Sequence, residues 1–113
     1  MPFNHETSRR LQLHQKLISI MGTENEQESR VYFQPPASLR MTYPAIVYYK
    51  DGRWTNHADN FAYFGKQRYA LTVIDPDPDS DIAVRIESAF PLCEVDRSFV
   101  SDNLYHVAVT LYW

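Results

Sequence analysis

The chain has 113 residues, enough for one hydrophobic core and too few for two domains with separate cores. Hydrophobic residues make up 44%, so a core can form, and 8 Tyr, 6 Phe and 2 Trp leave rings to present at a surface as well. A formal net charge of -3 argues against general affinity for a nucleic-acid backbone, which needs clustered cations.

Residues 5–21 are predicted to form an amphipathic helix. Thr7 or Ser8 can cap its start, and Gly22 stands where a glycine commonly follows a helix end. Leu11, Ile18 and Met21 recur near helical spacing, with Leu13, Leu17 and Ile20 widening the stripe. Arg10, Gln12, Gln15, Lys16 and Ser19 read as the polar side, and the local basic group Arg9, Arg10 and Lys16 as a solvated face. In a small α+β protein, such a helix covers one face of a sheet.

The polar run 23–29 reads as an exposed loop. A short strand is expected over 30–34, ended by Pro35 and Pro36, which cannot donate to a ladder. Pro44 marks the entry to a second strand, Ala45–Tyr49, whose unbroken β-favouring run predicts cover on both faces. Asp51-Gly52 is a hairpin-turn signal. Trp54 follows, then a turn-rich stretch at 55–60 and the aromatic stretch 61–64.

Gln67–Ile74 is the clearest strand, with Tyr69, Leu71 and Val73 on one face and Arg68, Ala70, Thr72 and Ile74 on the other. The break at 75–81 is rich in Asp and Pro. A short helix over 82–90 is expected after it, capped by Asp79 or Ser80, with Asp81 placed where negative charge favours a helix start. Pro91 ends that helix. A strand is expected over 92–97, a loop over 98–103 and a last strand over 105–113, the last alternating Tyr105, Val107, Val109, Leu111 and Trp113 against His106, Ala108, Thr110 and Tyr112. A terminal Trp is expected to be paired in the sheet.

The expected fold is therefore α+β: a small, mostly antiparallel sheet packed by an N-terminal amphipathic helix and a second short helix. It forms a single domain over 1–113, with the helix in 1–22 and the sheet in 30–113, the second helix inserted at about 80–90.

The chemistry-bearing residues do not assemble into a reaction centre. Counted as a calcium loop from Asp75, the run at 75–81 has Ser80 where glycine is needed and Ile86 where a bidentate glutamate is needed, so a turn plus a helix cap explains it better. His5, His14, His57 and His106 make no zinc spacing. The pairs His57 with Asp59 and Asp102 with His106 lack a nucleophile in a strained turn. With 3 Gly, neither a phosphate loop nor a dinucleotide fingerprint is available. Tyr48, Tyr49 and Tyr69 lie on β-like runs but lack the cationic groove that base stacking requires. Cys93, the lone cysteine, cannot form an internal disulfide and reads as a buried small hydrophobe in a reducing, cytosolic setting. Neither a leader peptide nor a membrane span is expected.

Several stretches resemble a family of small phage proteins. They are Val31-Tyr32-Phe33-Gln34-Pro35-Pro36, Tyr43-Pro44-Ala45-Ile46-Val47-Tyr48, Arg68-Tyr69-Ala70-Leu71-Thr72-Val73-Ile74-Asp75 with Pro78-Asp79-Ser80, and Asp102-Asn103-Leu104-Tyr105-His106 before the last strand. Together they are similar to the tail-completion, or tail-terminator, proteins of long-tailed bacteriophages; the likeness runs from residue 30 onward and is weak in the first helix. The resemblance implies an α+β subunit in a six-fold ring that caps the tail tube and joins it to the head. It implies no catalytic residue, metal or cofactor. Its partners are further copies of the chain, the tail-tube protein and head–tail connector proteins, without specific nucleic-acid binding although DNA passes through the ring. It also implies a virion location after assembly in the host cytoplasm. Under this reading Tyr48, Trp54, Phe61 and Tyr63 are the candidate contact residues.

Three other readings remain open at this point. One is a neighbouring head-closure or adaptor protein. Another is a monomeric protein-binding module using Trp54–Phe64. The third is a small hydrolase using His57 or His106.

Overall fold

The computed structural model describes residues 5–23, 29–51 and 66–113, with backbone alone at 5–8. The elements run α1 (His5–Met21), β1 (Val31–Phe33), β2 (Ala45–Lys50), β3 (Arg68–Asp75), α2 (Ile82–Ala89), β4 (Cys93–Ser101) and β5 (Leu104–Tyr112). The five strands form one sheet in the order β1-β2-β3-β5-β4. Among the described residues β1 and β2 pair in parallel and the other three pairings are antiparallel. The α+β class, the mostly antiparallel sheet and both helices are as the sequence predicts.

Both helices lie on one face of the sheet. Their apolar residues Leu13, Leu17, Ile82, Ile86 and Phe90 share a core with Ile46, Tyr48, Tyr69, Leu71, Val73, Val109 and Leu111. The strand residues meet by register: Tyr48 opposes Leu71, Tyr69 opposes Leu111, and Leu71 opposes Val109. Each fully buried aliphatic side chain contributes about 1.5–3 kcal/mol, so this layer is a large part of the folding drive.

The buried stripe of α1 differs from the expected one. Leu13 and Leu17 have no exposure at all, while Leu11 is 44% exposed. The face toward the sheet therefore runs through residues 10, 13, 14, 17 and 21, and two cations expected in solvent, Arg10 on it and Lys16 beside it, contact the core. The Arg10 guanidinium sits 4.2 Å from the centre of the Phe33 ring. Lys16 Nζ donates to Ala89 O at 3.0 Å and lies 4.5 Å from the Phe90 ring. Long cationic side chains lay their apolar stems on the core and keep the charge at its rim. Gly22, at φ 73, ends the helix: its N–H donates to Ser19 O and that of Thr23 donates to Ile18 O. This pair of bonds satisfies the last carbonyls and needs a left-handed residue.

Asp81, rather than Asp79 or Ser80, holds the cap position of α2, and it makes no side-chain capping bond. Its carboxylate instead receives Arg85 Nη2 at 2.8 Å, and Arg85 Nη1 reaches Ile20 O at 2.7 Å, tying α2 to the end of α1. Asp75 and Asp77 accept the N–H groups of Asp77 and Asp79, so the acidic run folds as successive turns on its own carboxylates.

Pairing to β2 begins at Arg68, and Gly52 of the expected Asp51-Gly52 turn lies outside the described residues. A two-residue turn with positive φ is found at Asp102-Asn103, where φ is 54° and 62°, joining β4 to β5. The expected loop at 98–103 is mostly strand, because β4 continues to Ser101. Trp113 is paired as expected: it exchanges backbone hydrogen bonds with Gln67, and its indole N–H donates to Arg9 O at 2.7 Å.

Candidate assembly interface

Of the four aromatics proposed as contact residues, Tyr48 is placed by the structure in the core, with 0% exposure. Its hydroxyl shares a 2.7 Å hydrogen bond with His14 Nδ1 and receives Arg10 Nη1 at 3.5 Å, and its ring lies 4.9 Å from that of Phe33. Burial raises the Tyr48 pKa, and burial with the adjacent Arg10 charge lowers that of His14. A continuous β-favouring run gives burial to both faces of β2, and position 48 falls on the helix-covered side. Tyr48 is therefore a core residue with a satisfied polar tip and not a surface ring. Trp54, Phe61 and Tyr63 lie outside the described residues, as do His57, Gly52 and the stretch 55–60.

The rings and aliphatic side chains that are exposed lie elsewhere; Leu11 and Val84 stand singly on α1 and α2, and the others fall in two groups. One group is on the β4–β5 hairpin: Val95, Phe99, Val100 and Tyr105, with Val100 at 62% exposure. Almost the whole of β4 is exposed, because it is the outermost strand and of its residues Cys93 packs against the core. Phe99 stacks on His106 at 4.8 Å, and Arg97 lies 4.9 Å from the Phe99 ring, so these side chains form an ordered row. A hollow of about 330 Å³ opens among Pro78, Phe99, Val100, Tyr105 and His106. A second group, Leu39, Tyr43 and Tyr49, lies on the β1–β2 side. Four strand spacings separate β1 from β4, roughly 19 Å.

A shift between Val95 and Arg97 marks a bulge in β4 at Asp96. The Asp96 carboxylate accepts the Thr110 hydroxyl at 2.6 Å, which fixes it on the face away from the helices. An open groove of about 450 Å³ lies at this end of the sheet, bordered by Arg68, Leu92, Cys93, Glu94, Asp96 and Tyr112. Cys93 is half-buried rather than buried, and burial together with Glu87 and Asp96 pushes its thiol up to about 11. A thiol held protonated is a poor nucleophile.

His106 uses Nδ1 on Leu104 O at 3.0 Å and stacks on Phe99, so Asp102 does not orient it. Among the described residues no three His, Cys, Asp or Glu side chains converge as a metal site. No described helix is long and apolar enough to cross a membrane.

The sequence reading missed the hairpin surface because Ser98, Ser101, Asp102 and Asn103 make the segment look like a loop. The available signal was Phe99-Val100, two large β-favouring residues side by side within it.

No protein-family model matches this chain, and neither a curated protein nor a solved structure does.

Proposed function

We propose that this chain is a structural subunit of a phage neck or tail, of the tail-terminator kind, and that it works by binding proteins rather than by catalysis. In this reading copies of the chain form a ring, six-fold in the family it resembles, that caps the tail tube in the virion and lets DNA pass through. The observation that carries the reading is the placement of the exposed apolar residues. A head-to-tail ring needs two different contact patches on each subunit, one meeting the other on its neighbour. Val95, Phe99, Val100 and Tyr105 on the β4 side, and Leu39, Tyr43 and Tyr49 on the β1–β2 side, are two such groups on opposite sides of one sheet. The aromatic share among them fits interface chemistry, where Tyr and Phe supply area at little conformational cost.

The test is the solution mass, by light scattering on a sizing column, alone and with tail-tube protein. A mass near six subunits in either condition supports the ring. A monomer under every condition refutes it and moves the assignment to a binding module. A ring that binds a head–tail connector protein but not the tube places the chain with the head-closure or adaptor proteins instead.

A further inference from the structure

The two margins of the sheet differ in how open they are to another strand. At the β1 margin, Ile46 N–H donates to Arg30 O and Gln34 N–H to Tyr48 O, so the alternate residues Val31 and Phe33 direct their backbone groups outward. Ser29 closes off Val31: its hydroxyl oxygen accepts Val31 N–H at 3.4 Å and lies 3.5 Å from Val31 O. Pro35 and Pro36 follow with no N–H to offer. This edge is three residues long and blocked at its start and beyond its end.

The β4 margin is nine residues long. Tyr112 N–H donates to Leu92 O, which sets the alternation along the hairpin. Following the register from there, Glu94, Arg97, Phe99 and Ser101 turn their backbone groups toward β5. Cys93, Val95, Ser98 and Val100 turn theirs away from the sheet.

We propose that in the free chain this edge is covered by a second copy of itself, β4 against β4, antiparallel about a two-fold axis passing between Asp96 and Arg97. That register sets all four outward-directed residues against one another: Cys93 opposite the second copy's Val100, and Val95 opposite its Ser98. A slip of two residues sets either Ser98 against Arg97, whose backbone groups already serve β5, or Val95 against Asp96, the bulge residue that stands outside the ladder register. The charges agree with the same register. Asp96 falls opposite the second copy's Arg97, and by symmetry Arg97 falls opposite its Asp96. Both side chains stand on the face away from the helices, Asp96 bonded to Thr110 and Arg97 against Phe99, which stacks on His106. Opposite charges directly across an antiparallel pair are favourable, and the apolar Val95 and Val100 gain cover on the other face. The pairing is isologous, because the blocked β1 edge offers β4 no equivalent partner in a head-to-tail arrangement of strands. It does not depend on the ring reading. If the ring exists, the dimer occupies one of its two patches and opens before the ring closes, and until then it keeps a long strand from random pairing.

The chain's sole cysteine makes the test direct. Opposed residues in a hydrogen-bonded antiparallel pair have Cα atoms about 5.5 Å apart, within disulfide reach. Full-length protein carrying Val100→Cys, oxidised with copper–phenanthroline at pH 9, is expected to run as a covalent dimer on a non-reducing gel. The unsubstituted chain and Tyr105→Cys, an exposed site on β5, are expected to stay single. In sedimentation, Arg97→Asp sets acid against acid and raises the dimer dissociation constant about tenfold or more, and adding Asp96→Arg restores pairing. Cross-linking of Val100→Cys no stronger than that of Tyr105→Cys, or an Arg97→Asp dimer as tight as the original, overturns the proposal. A six-subunit mass with neither effect overturns the pairing and leaves the ring standing. A cross-linked dimer that never forms a ring on tail-tube protein does the reverse.

Discussion

Replacing Tyr48 with alanine separates core from interface at one position. The ring has no exposure and lies against Phe33 at 4.9 Å and Tyr69 at 5.9 Å, and its hydroxyl is shared with His14. Truncation removes that packing, opens a cavity between α1 and β2, and strands the His14 ring nitrogen. Large aromatic-to-alanine changes in cores cost about 3–5 kcal/mol, and an abandoned polar partner adds about 1–3 kcal/mol when fully buried, less here because His14 is only half-buried. A domain of this size has about 5–15 kcal/mol of stability, so Tyr48→Ala removes a large part of it. With a urea slope of roughly 1–3 kcal/mol per molar, the midpoint falls by one to several molar. Tyr48→Phe keeps the packing and loses the hydroxyl alone, at about 1 kcal/mol. Urea melts followed by circular dichroism measure both, beside sizing at low denaturant. A Tyr48→Ala protein that melts within 1 kcal/mol of the original while its self-association collapses would refute the placement of this ring in the core.

Two further outcomes follow from the same structure. His14 has its folded pKa lowered by burial and by Arg10, so the unfolded chain takes up the proton first; stability is full above the unfolded value near 6.5 and declines as pH falls below it, and His14→Gln flattens that decline in melts run from pH 7.5 to 5. Asn103 holds φ 62° in the second place of the β4–β5 turn, so Asn103→Gly, which relieves a left-handed side chain, is expected to raise the midpoint by a few tenths to about 1 kcal/mol of stability, whereas Asn103→Val lowers it.

The parts of the fold that show in the sequence are those where one face is buried. β3 and β5 alternate because the helices cover one side, and the alternation names the buried residues Tyr69, Leu71, Val73, Val109 and Leu111 correctly. β4 has no such face. Eight of its nine residues are exposed, so nothing selects a period, and its serines imitate a loop. The stripe of α1 was legible in kind but not in phase, because Leu11 and Leu13 are equally apolar and only the sheet decides between them. The core place of Tyr48 was hidden by its chemistry: a tyrosine suits an interface and a core alike, and the deciding partner, His14, stands 34 residues away. The polar contacts of Lys16 and Trp113 with Ala89 and Arg9 are equally remote in sequence.

The asymmetry between the two sheet margins carries the last step. An exposed edge invites unwanted pairing, and proteins blunt such edges with short strands, prolines, charges and bulges. The β1 margin uses the first two of these together with the Ser29 hydroxyl. The β4 margin uses the last two, with Glu94, Asp96 and Arg97 clustered at the bulge. The two sets of devices are not equivalent. A missing N–H blocks every partner, whereas a charge blocks only partners that fail to match it. A strand guarded by Asp96 next to Arg97 thus rejects most edges and accepts one whose charges run the opposite way. The antiparallel copy of the same strand meets that condition. Specificity at this margin then comes from the charges, and affinity from the outward backbone of Cys93, Val95, Ser98 and Val100.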